Sequence, residues 1–290
     1  MFSGALSAII TPLRDGVVDE PALRELIEWQ IQNGVDGIVP CGSTGESATL
    51  SHQEHERVIT IAVEQTRKRV PVIAGTGSNC TAEAVRLTSF AREAGADGAL
   101  LVSPYYNKPT QDGIIRHFRT IAQSVPLPLV VYNIPGRTGS NVAPETLAQL
   151  ADVPNIVAVK EASGSMEQAS DIRRLCGERL TILSGDDSLT LPLIALGAKG
   201  AVSVISNVMP RETHQLVEAA LAGDFTRARE LHYKMLPLMR ALFLETNPIP
   251  VKYAASLMGK CSAELRMPLT TMSPGPAEKL RGVMKELRLI

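Results

Sequence analysis

The chain has few cysteines and no long apolar run, and each of these shortages excludes a class of protein. Its four cysteines lie far apart and form no C-x-x-C pair, which argues against a disulfide scaffold and a structural zinc site. No apolar run approaches the roughly 18 residues that a membrane span needs. The segment from Met1 to Ile10 lacks the basic start and long apolar run of a signal peptide. A cytoplasmic protein without a membrane partner is therefore expected.

The chain also has no excess of positive or of negative charge. The chain carries 29 Lys and Arg against 30 Asp and Glu residues, and its formal net charge of -1 indicates no nucleic-acid partner. There is no P-loop or dinucleotide-binding loop, and the order H-Q-E-H-E around His52 and His55 matches no zinc-protease spacing. Asp186 and Asp187 precede a helical pattern and are expected to cap it rather than bind a metal ion. We expect neither a metal nor a cofactor.

The chain does contain a regular alternation of short apolar runs and longer amphipathic segments. Continuous apolar runs are typical of buried parallel strands. They predict strands at residues 6–10, 37–39, 70–74, 98–102, 127–131, 156–160, 180–183 and 201–204. The segments between them predict helices at residues 21–33, 51–67, 82–94, 113–124, 144–150, 166–175 and 189–196. Glycines placed as C-terminal caps follow three of these helices, at Gly34, Gly95 and Gly197.

Eight strands, each followed by a helix, predict an α/β fold of the (β/α)8 TIM-barrel type over residues 1–223. Beyond it, helical patterns at 225–244, 249–258 and 276–289 predict a small all-helical C-terminal domain over residues 224–290. An open doubly wound sheet would show the same alternation. The glycine-rich fingerprint expected after the first strand of such a sheet is missing, which favours the barrel.

Lys160 ends one of the apolar runs, at the point where barrel enzymes place their active sites. Lysine is rarely buried without a partner, and an amine whose pKa is lowered by burial becomes a nucleophile that forms Schiff bases with carbonyl compounds. The alternative is structural: the side chain reaches the rim of the barrel or pairs with Glu161. For a lysine considered alone, the structural role is the more common one.

Other predicted strand ends carry groups that bind anions. The loop of residues 42–46 offers two glycines, the hydroxyls of Ser43 and Thr44, and backbone N–H groups that can hold a carboxylate or phosphate. Arg137 presents a planar guanidinium that suits a substrate carboxylate. A plain turn and an exposed surface arginine are the structural alternatives.

Tyrosines are concentrated at two neighbouring strand ends. Three of the chain's 5 tyrosines lie there, at Tyr105, Tyr106 and Tyr132. A tyrosine beside a buried amine can act as a general acid and base during imine formation, although tyrosines at barrel rims also cap the core. Combined with Lys160 and the anion-binding groups, they favour cofactor-free Schiff-base chemistry on a small keto acid.

Several motifs together resemble those of one enzyme superfamily. The segments are GSTGE (42–46), YNIPGRTG (132–139) and VAVKE (157–161), and they are similar to the pyruvate-dependent Schiff-base lyases and synthases. Within that superfamily the chain most resembles the dihydrodipicolinate synthases. This resemblance runs the full length and includes SPYYNKP (103–109) and NPIPVK (247–252).

The resemblance implies a set of catalytic roles. Lys160 would form the imine with pyruvate, and Tyr132 would shuttle protons through the hydroxyl of Thr44. Tyr106 would complete this relay from a neighbouring subunit. Ser43 and Thr44 would hold the pyruvate carboxylate.

Further positions are implied to bind substrate. Arg137 would bind the carboxylate of L-aspartate 4-semialdehyde, which the pyruvate enamine attacks before the adduct cyclises. Gly185 and Val202 would line the pocket through their backbone. Ser43 stands where most of these synthases carry threonine, and related sugar-acid aldolases often have serine there. A sister pyruvate aldolase, such as an N-acetylneuraminate lyase or a 2-keto-3-deoxy sugar acid aldolase, remains an alternative. A barrel that binds a keto acid without turnover is a further alternative.

The resemblance also implies regulation and assembly. Many of these synthases are inhibited by L-lysine at an interface between two subunits. The positions that resemble this site are Ala48, His52, His55, Asn79, Glu83 and Tyr105. The expected assembly is a homotetramer built from two tight dimers.

Overall fold

The central feature of the structure, a computed structural model describing residues 2–290, is a closed ring of parallel strands. Its eight strands are β1 Gly4–Ala8, β2 Gly37–Val39, β3 Ile73–Gly75, β4 Gly98–Val102, β5 Leu129–Asn133, β6 Ile156–Glu161, β7 Thr181–Ser184 and β8 Gly200–Ser203. Neighbours pair in parallel in the order β2-β1-β8-β7-β6-β5-β4-β3. A parallel bridge between Ile38 and Val72 joins the two ends of this order. The predicted barrel is confirmed.

A helix follows each strand. These helices are α1 Glu20–Gln32, α2 His52–Thr66, α3 Thr81–Glu93, α4 Gln111–Ser124, α5 Pro144–Leu150, α6 Met166–Cys176, α7 Thr190–Ala195 and α8 Pro210–Leu221. Three more form the predicted C-terminal extension: α9 Phe225–Ala241, α10 Ile249–Leu257 and α11 Pro274–Glu286. The division of the chain into domains at residues 1–223 and 224–290 stays a prediction. Gly34, Gly95 and Gly197 all have positive φ after a helix, as expected of C-terminal caps.

The predicted strand limits were wrong at some ends. The first strand begins at Gly4, because Gly4 and Ala5 pair with β8 through backbone groups that need no large apolar side chain. The third begins at Ile73 rather than at residue 70, since Pro71 has no N–H to donate to a ladder. A short hairpin of Leu13–Arg14 and Val17–Val18 was not predicted, although the intervening Asp-Gly pair is a turn signal.

None of the described helices is both long enough and apolar enough to cross a membrane.

Two layers of apolar side chains surround the strands. One fills the barrel, and every strand supplies at least one buried residue to it; these include Leu6, Val39, Ile73, Leu100, Val130, Ala158, Leu183 and Val202. The other lies between the strands and the helices. Because side chains alternate along a strand, Tyr132 and Lys160, each two residues beyond a member of the inner layer, also point into the barrel. The carboxyl end of the barrel interior is therefore where polar groups enter.

A buried ion pair joins the C-terminal extension to the barrel. Lys252 on α10 is fully buried, and its Nζ lies 2.5 Å from Oε1 of Glu46, whose side chain is also buried. Oε2 of the same carboxylate accepts a hydrogen bond from the backbone N–H of Arg266 at 3.3 Å. Burial lowers the pKa of Lys252, and the charge of Glu46 opposes this shift. The loop of residues 42–46 is thus held against the extension.

Breaking this pair should destabilise the fold. Lys252→Met leaves the Glu46 carboxylate buried without its cation, and we expect a loss of about 3 to 5 kcal/mol in the free energy of unfolding. In Glu46→Gln/Lys252→Met no unpaired charge remains, so most of the loss should be recovered. Urea denaturation at one fixed protein concentration measures both. A double variant as unstable as Lys252→Met would contradict this interpretation of the pair.

Candidate active site

Lys160 and Tyr132 face each other at the carboxyl end of the barrel. They are partners in the parallel register of β5 and β6, so the strands themselves place the two side chains side by side. Nζ of Lys160 lies 4.1 Å from the centroid of the Tyr132 ring. Both residues are buried, with exposed fractions of 5% and 6%. The structure thus brings the predicted nucleophile and the predicted proton carrier into contact.

The environment of Lys160 favours a neutral amine. In the described part of the chain, no hydrogen bond or ion pair to its Nζ is present. Burial lowers the pKa of Lys160 to about 7, while the charge of Asp187 partly opposes this and that of Arg137 adds to it. Burial also raises the pKa of Tyr132 to about 12, so its hydroxyl stays protonated at neutral pH. A neutral amine beside a phenol is suited to attack on a carbonyl group.

Glu161, the next residue, does not pair with the lysine. Its side chain points away from the barrel interior and accepts hydrogen bonds from the side-chain amides of Asn133 and Gln168 at 3.1 and 3.2 Å. The backbone N–H of Ser163 donates to its other oxygen at 2.7 Å. The structural alternative in which Glu161 neutralises Lys160 is therefore wrong, because adjacent strand residues face opposite sides of the sheet.

A small cavity of about 50 Å³ lies over the lysine. Its walls combine residues from several strand ends, and those that matter here are Ser43, Thr44, Tyr132, Arg137, Lys160 and Gly185. The predicted anion-binding loop, the tyrosine, the arginine and the lysine therefore share one cavity. Its size admits only a small ligand.

Two glycine positions of the site have different surroundings. A Cβ atom on Gly185 would lie 3.1 Å from two side-chain carbons of Lys160 and 2.7 Å from Cβ of Ala162, so this position has no room for a side chain. On Gly136, next to Arg137, a Cβ atom would meet no other atom within 4 Å. Gly185 therefore shapes the wall against which the lysine packs.

Arg137 and Thr44 are both held by one residue of the C-terminal extension. Nη2 of Arg137 donates to the backbone oxygen of Asn247 at 3.0 Å. The side-chain Nδ2 of Asn247 donates to Oγ1 of Thr44, also at 3.0 Å. Asn247 lines the cavity, although no role was predicted for it from the sequence. The only signal was its place at the start of the NPIPVK segment.

Two predicted site residues lie outside this cavity. Tyr106 is 89% exposed and its backbone has a positive φ of 72°, so within one chain it does not reach Lys160. Val202 packs in the inner apolar layer of the barrel, and Val204, two residues further on, lines the cavity in its place. Phe243, between α9 and α10, also lines the cavity and was not foreseen from the sequence.

The paired aspartates have structural roles in the described residues. Asp186 caps the turn that follows β7, where its Oδ1 accepts from the backbone N–H of Ser188 at 2.9 Å. Asp187 is buried and accepts from the backbone N–H groups of Val204 and Ile205 at 2.9 and 2.8 Å. Among residues 2–290, no three His, Cys, Asp or Glu side chains are arranged to hold a metal ion.

A second cavity of about 500 Å³ opens beside the first. Five of the six residues predicted to bind L-lysine line it: Ala48, His52, His55, Glu83 and Tyr105. The sixth, Asn79, donates from Nδ2 to the backbone oxygen of Tyr105 at 3.1 Å. All six positions therefore meet at one surface, which also borders Ser43 and Arg137.

His52 and Glu83 are in contact on the wall of this second cavity. Nε2 of His52 lies 2.9 Å from Oε1 of Glu83, and the hydroxyl of Ser78 donates to the other oxygen at 2.5 Å. These hydrogen bonds lower the pKa of Glu83. Burial lowers the pKa of His55 to about 4, so this imidazole is neutral at physiological pH. The Glu83 carboxylate and the neutral imidazole of His55 are thus among the groups that this cavity presents to a ligand.

Comparisons with known proteins agree with this geometry. Residues 1–287 match the model of the dihydrodipicolinate synthetase family. The chain is 60% identical to 4-hydroxy-tetrahydrodipicolinate synthase of Syntrophus aciditrophicus over the full length of both. It is similar in structure to dihydrodipicolinate synthase of Acinetobacter baumannii complexed with pyruvate, with a TM-score of 0.98, 43% identity and full coverage of both chains. It is also similar to dihydrodipicolinate synthase of Cyanidioschyzon merolae with lysine bound. The TM-score is 0.97 and the identity 42%, over 100% of this chain and 99% of that chain.

Filling the space beside Lys160 should impair its reactivity. In Gly185→Ala the added methyl group displaces the lysine side chain, and such overpacking costs about 1 to 3 kcal/mol. We expect the rate of borohydride-trapped adduct formation with a small 2-keto acid to fall about tenfold or more. Gly136→Ala, which adds the same atom in open space, is the matched control and should react normally. Equal rates for the two variants would show that Gly185 does not set the position of the lysine.

Proposed function

The chain belongs to the dihydrodipicolinate synthetase family, and on that premise we propose how its site condenses pyruvate with L-aspartate 4-semialdehyde. The product is 4-hydroxy-tetrahydrodipicolinate, and the reaction is the first committed step of lysine and diaminopimelate synthesis. The observation that carries the proposal is the buried amine of Lys160, which contacts Tyr132 and has no hydrogen-bond or ion-pair partner among residues 2–290. We place the enzyme in the cytoplasm, where its four free cysteines would stay reduced.

The first half of the reaction takes place on Lys160. Its neutral amine adds to the C2 carbonyl of pyruvate, and the carbinolamine loses water to give the imine. Ser43 and Thr44 line the same cavity, and their hydroxyls and N–H groups would hold the pyruvate carboxylate. Loss of a proton from C3 then converts the imine into an enamine, a carbon nucleophile.

Proton transfer falls to Tyr132 and its neighbours. Tyr132 contacts the lysine directly, and its protonated hydroxyl can donate to the carbinolamine oxygen as water leaves. Thr44 lines the same cavity, and its hydroxyl would carry protons between Tyr132 and the next member of the relay. Tyr106 would complete this relay from a second copy of the chain, since it is exposed on the surface of its own. The active form is therefore at least a dimer, and a tetramer of two such dimers is proposed.

The second half of the reaction joins the two substrates. The enamine carbon attacks the aldehyde carbon of L-aspartate 4-semialdehyde, and the amino group of the adduct then attacks the imine carbon. This closes the ring and releases Lys160 as a free amine. Arg137 lies at the mouth of the cavity, where its guanidinium is fixed through Asn247 and can bind the carboxylate of the second substrate.

The imine is tested by trapping. When the enzyme is incubated with pyruvate and borohydride, we expect a mass increase located by peptide analysis on Lys160. Lys160→Ala should give no adduct at this position, whereas Lys199→Ala, a change outside the cavity, should give the full adduct. The absence of any adduct on the wild-type enzyme would contradict the proposed function and favour a barrel that binds keto acids without turnover.

The choice of second substrate is tested at Arg137. In Arg137→Ala the carboxylate of the semialdehyde loses its charged partner, and kcat/KM for that substrate should fall about a hundredfold. Pyruvate should still form the imine, because its carboxylate is held by the loop of residues 42–46. Arg116→Ala, on the exposed surface of α4, is the control. If Arg137→Ala kept full activity in a coupled assay while sugar-derived aldehydes were accepted, a sister aldolase would be the better assignment.

The second cavity is proposed to bind L-lysine as a feedback inhibitor. The carboxylate of Glu83 offers a partner for an ammonium group, and His52, His55 and Tyr105 surround the remaining space. The relative from Cyanidioschyzon merolae with lysine bound supports this assignment. Because the cavity borders Ser43 and Arg137, a ligand there lies close to both substrate-binding elements.

Inhibition is tested by titrating the enzyme with L-lysine. We expect millimolar lysine to lower the rate, and Glu83→Gln to raise the half-inhibitory concentration about tenfold, since the variant removes the charge that pairs with an ammonium group. Glu93→Gln, an exposed change on the same helix α3, should leave inhibition unaltered. A wild-type rate that does not change at any lysine concentration would remove the regulatory proposal and leave the reaction untouched.

A further inference from the structure

Asn247 connects two parts of the active site that are distant in sequence. It lies in the turn between α9 and α10, and only 5% of its surface is exposed. Its side-chain amide donates to the hydroxyl of Thr44, and its backbone oxygen accepts from Arg137. The Oδ1 atom of the same side chain is buried and has no partner within residues 2–290. Asn247 thus holds Thr44 through its side chain and Arg137 through its backbone oxygen. Thr44 belongs to the proposed pyruvate site and Arg137 to the proposed site of the second substrate.

The hydrogen bond to Thr44 has a fixed direction. An amide nitrogen is a donor only, so the threonine oxygen must be the acceptor. A hydroxyl has one proton, and here that proton is not used in the contact with Asn247. It is therefore free to point to a second acceptor in the cavity, toward the tyrosine oxygen or a bound carboxylate.

We propose that Asn247 is a positioning residue that orients the Thr44 hydroxyl as a proton donor toward Tyr132 and the pyruvate carboxylate. This inference rests on the proposed function, and it assigns the helical extension a direct part in the first half of the reaction. Without the amide, the hydroxyl would rotate among several acceptors, and the fraction of molecules in the reactive arrangement would fall.

The same turn is held in place by contacts that do not involve the Asn247 side chain. Lys252, on the helix that follows, pairs with Glu46 two residues beyond Thr44. The backbone oxygen of Asn247 remains whatever its side chain is, so the contact with Arg137 survives substitution. A substitution of the Asn247 side chain should therefore affect Thr44, while the turn and Arg137 stay in place.

The first test separates the two substrates. In Asn247→Ala we expect the rate of imine formation with pyruvate to fall about tenfold, corresponding to one lost hydrogen bond. The KM for L-aspartate 4-semialdehyde should change less than about threefold, a smaller effect than that of one hydrogen bond. Thr246→Ala, at the exposed neighbouring position, is the control and should match wild type in both. If the substitution instead caused a general structural defect, the KM values for pyruvate and for L-aspartate 4-semialdehyde would both rise, and the melting temperature would fall.

The second test asks whether Asn247 acts through Thr44. Thr44→Val removes the hydroxyl and keeps the shape of the side chain. If the amide works by orienting that hydroxyl, Asn247→Ala should cost almost nothing further in the Thr44→Val background. If the fold-losses in the rate of imine formation of the two single variants multiplied in the double variant, the two residues would act independently. That result would overturn the proposal.

The third test reverses the hydrogen bond. In Asn247→Asp an ionised carboxylate of nearly the same shape can only accept, so it would draw the threonine proton away from the cavity. At neutral pH we expect this variant to form the imine more slowly than wild type. As the pH falls and the carboxyl group gains a proton, the ratio of the two rates should move back toward one. A loss that stays constant with pH would contradict the directional role.

Wild-type enzyme is assayed in parallel with all of these variants. If the wild-type enzyme forms no imine, the proposed function fails. Normal imine formation in Asn247→Ala refutes only this inference.

Discussion

The burial of the Lys160 amine without a carboxylate partner is the constraint on which the site depends. A charged ammonium group at this position would lose its hydration, and in residues 2–290 no hydrogen bond or ion pair to Nζ replaces it. The barrel makes the burial unavoidable, because strand β6 directs the side chain into an interior already filled one layer below by apolar residues. Reactivity therefore follows from the fold: the environment that disfavours the ammonium ion produces the nucleophile.

The chain contains a second buried lysine, and the comparison shows what the partner changes. Lys252 lies 2.5 Å from the carboxylate of Glu46, and this pair ties the helical extension to the loop of residues 42–46. Burial lowers the pKa of both lysines, but at Lys252 a directly bonded carboxylate opposes the shift. Lys252 is held in an ion pair and is structural, whereas Lys160 has no such partner among residues 2–290 and is the proposed nucleophile. The extension thereby becomes part of the site rather than an addition to the barrel.

The periodicity of the sequence was sufficient to predict the barrel and the group of residues at its carboxyl end. Lys160 and Tyr132 could be placed together because parallel strands end at the same face and alternation decides which side chains point inward. The parts that could not be predicted depend on tertiary contacts. Asn247 and Lys252 contact the loop of residues 42–46 from about 200 residues away in the chain. Neither the turn that holds Asn247 nor the helical pattern that holds Lys252 indicates that these polar residues will be buried. Tyr106 is exposed on the surface of its own chain, and its proposed part in the relay depends on a second subunit, which no pattern within one chain describes.

The most direct test of this account is the pH dependence of imine formation by the wild-type enzyme, measured at saturating pyruvate before turnover. Because the pKa of Lys160 is lowered to about 7, the amine is mostly protonated below this pH and mostly neutral above it. The rate should therefore rise with pH, reach half of its maximum near pH 7 and then level off. A rate that continued to rise toward the ordinary lysine pKa of about 10.4 would show that Lys160 is an unperturbed ammonium group, and the central claim would be wrong.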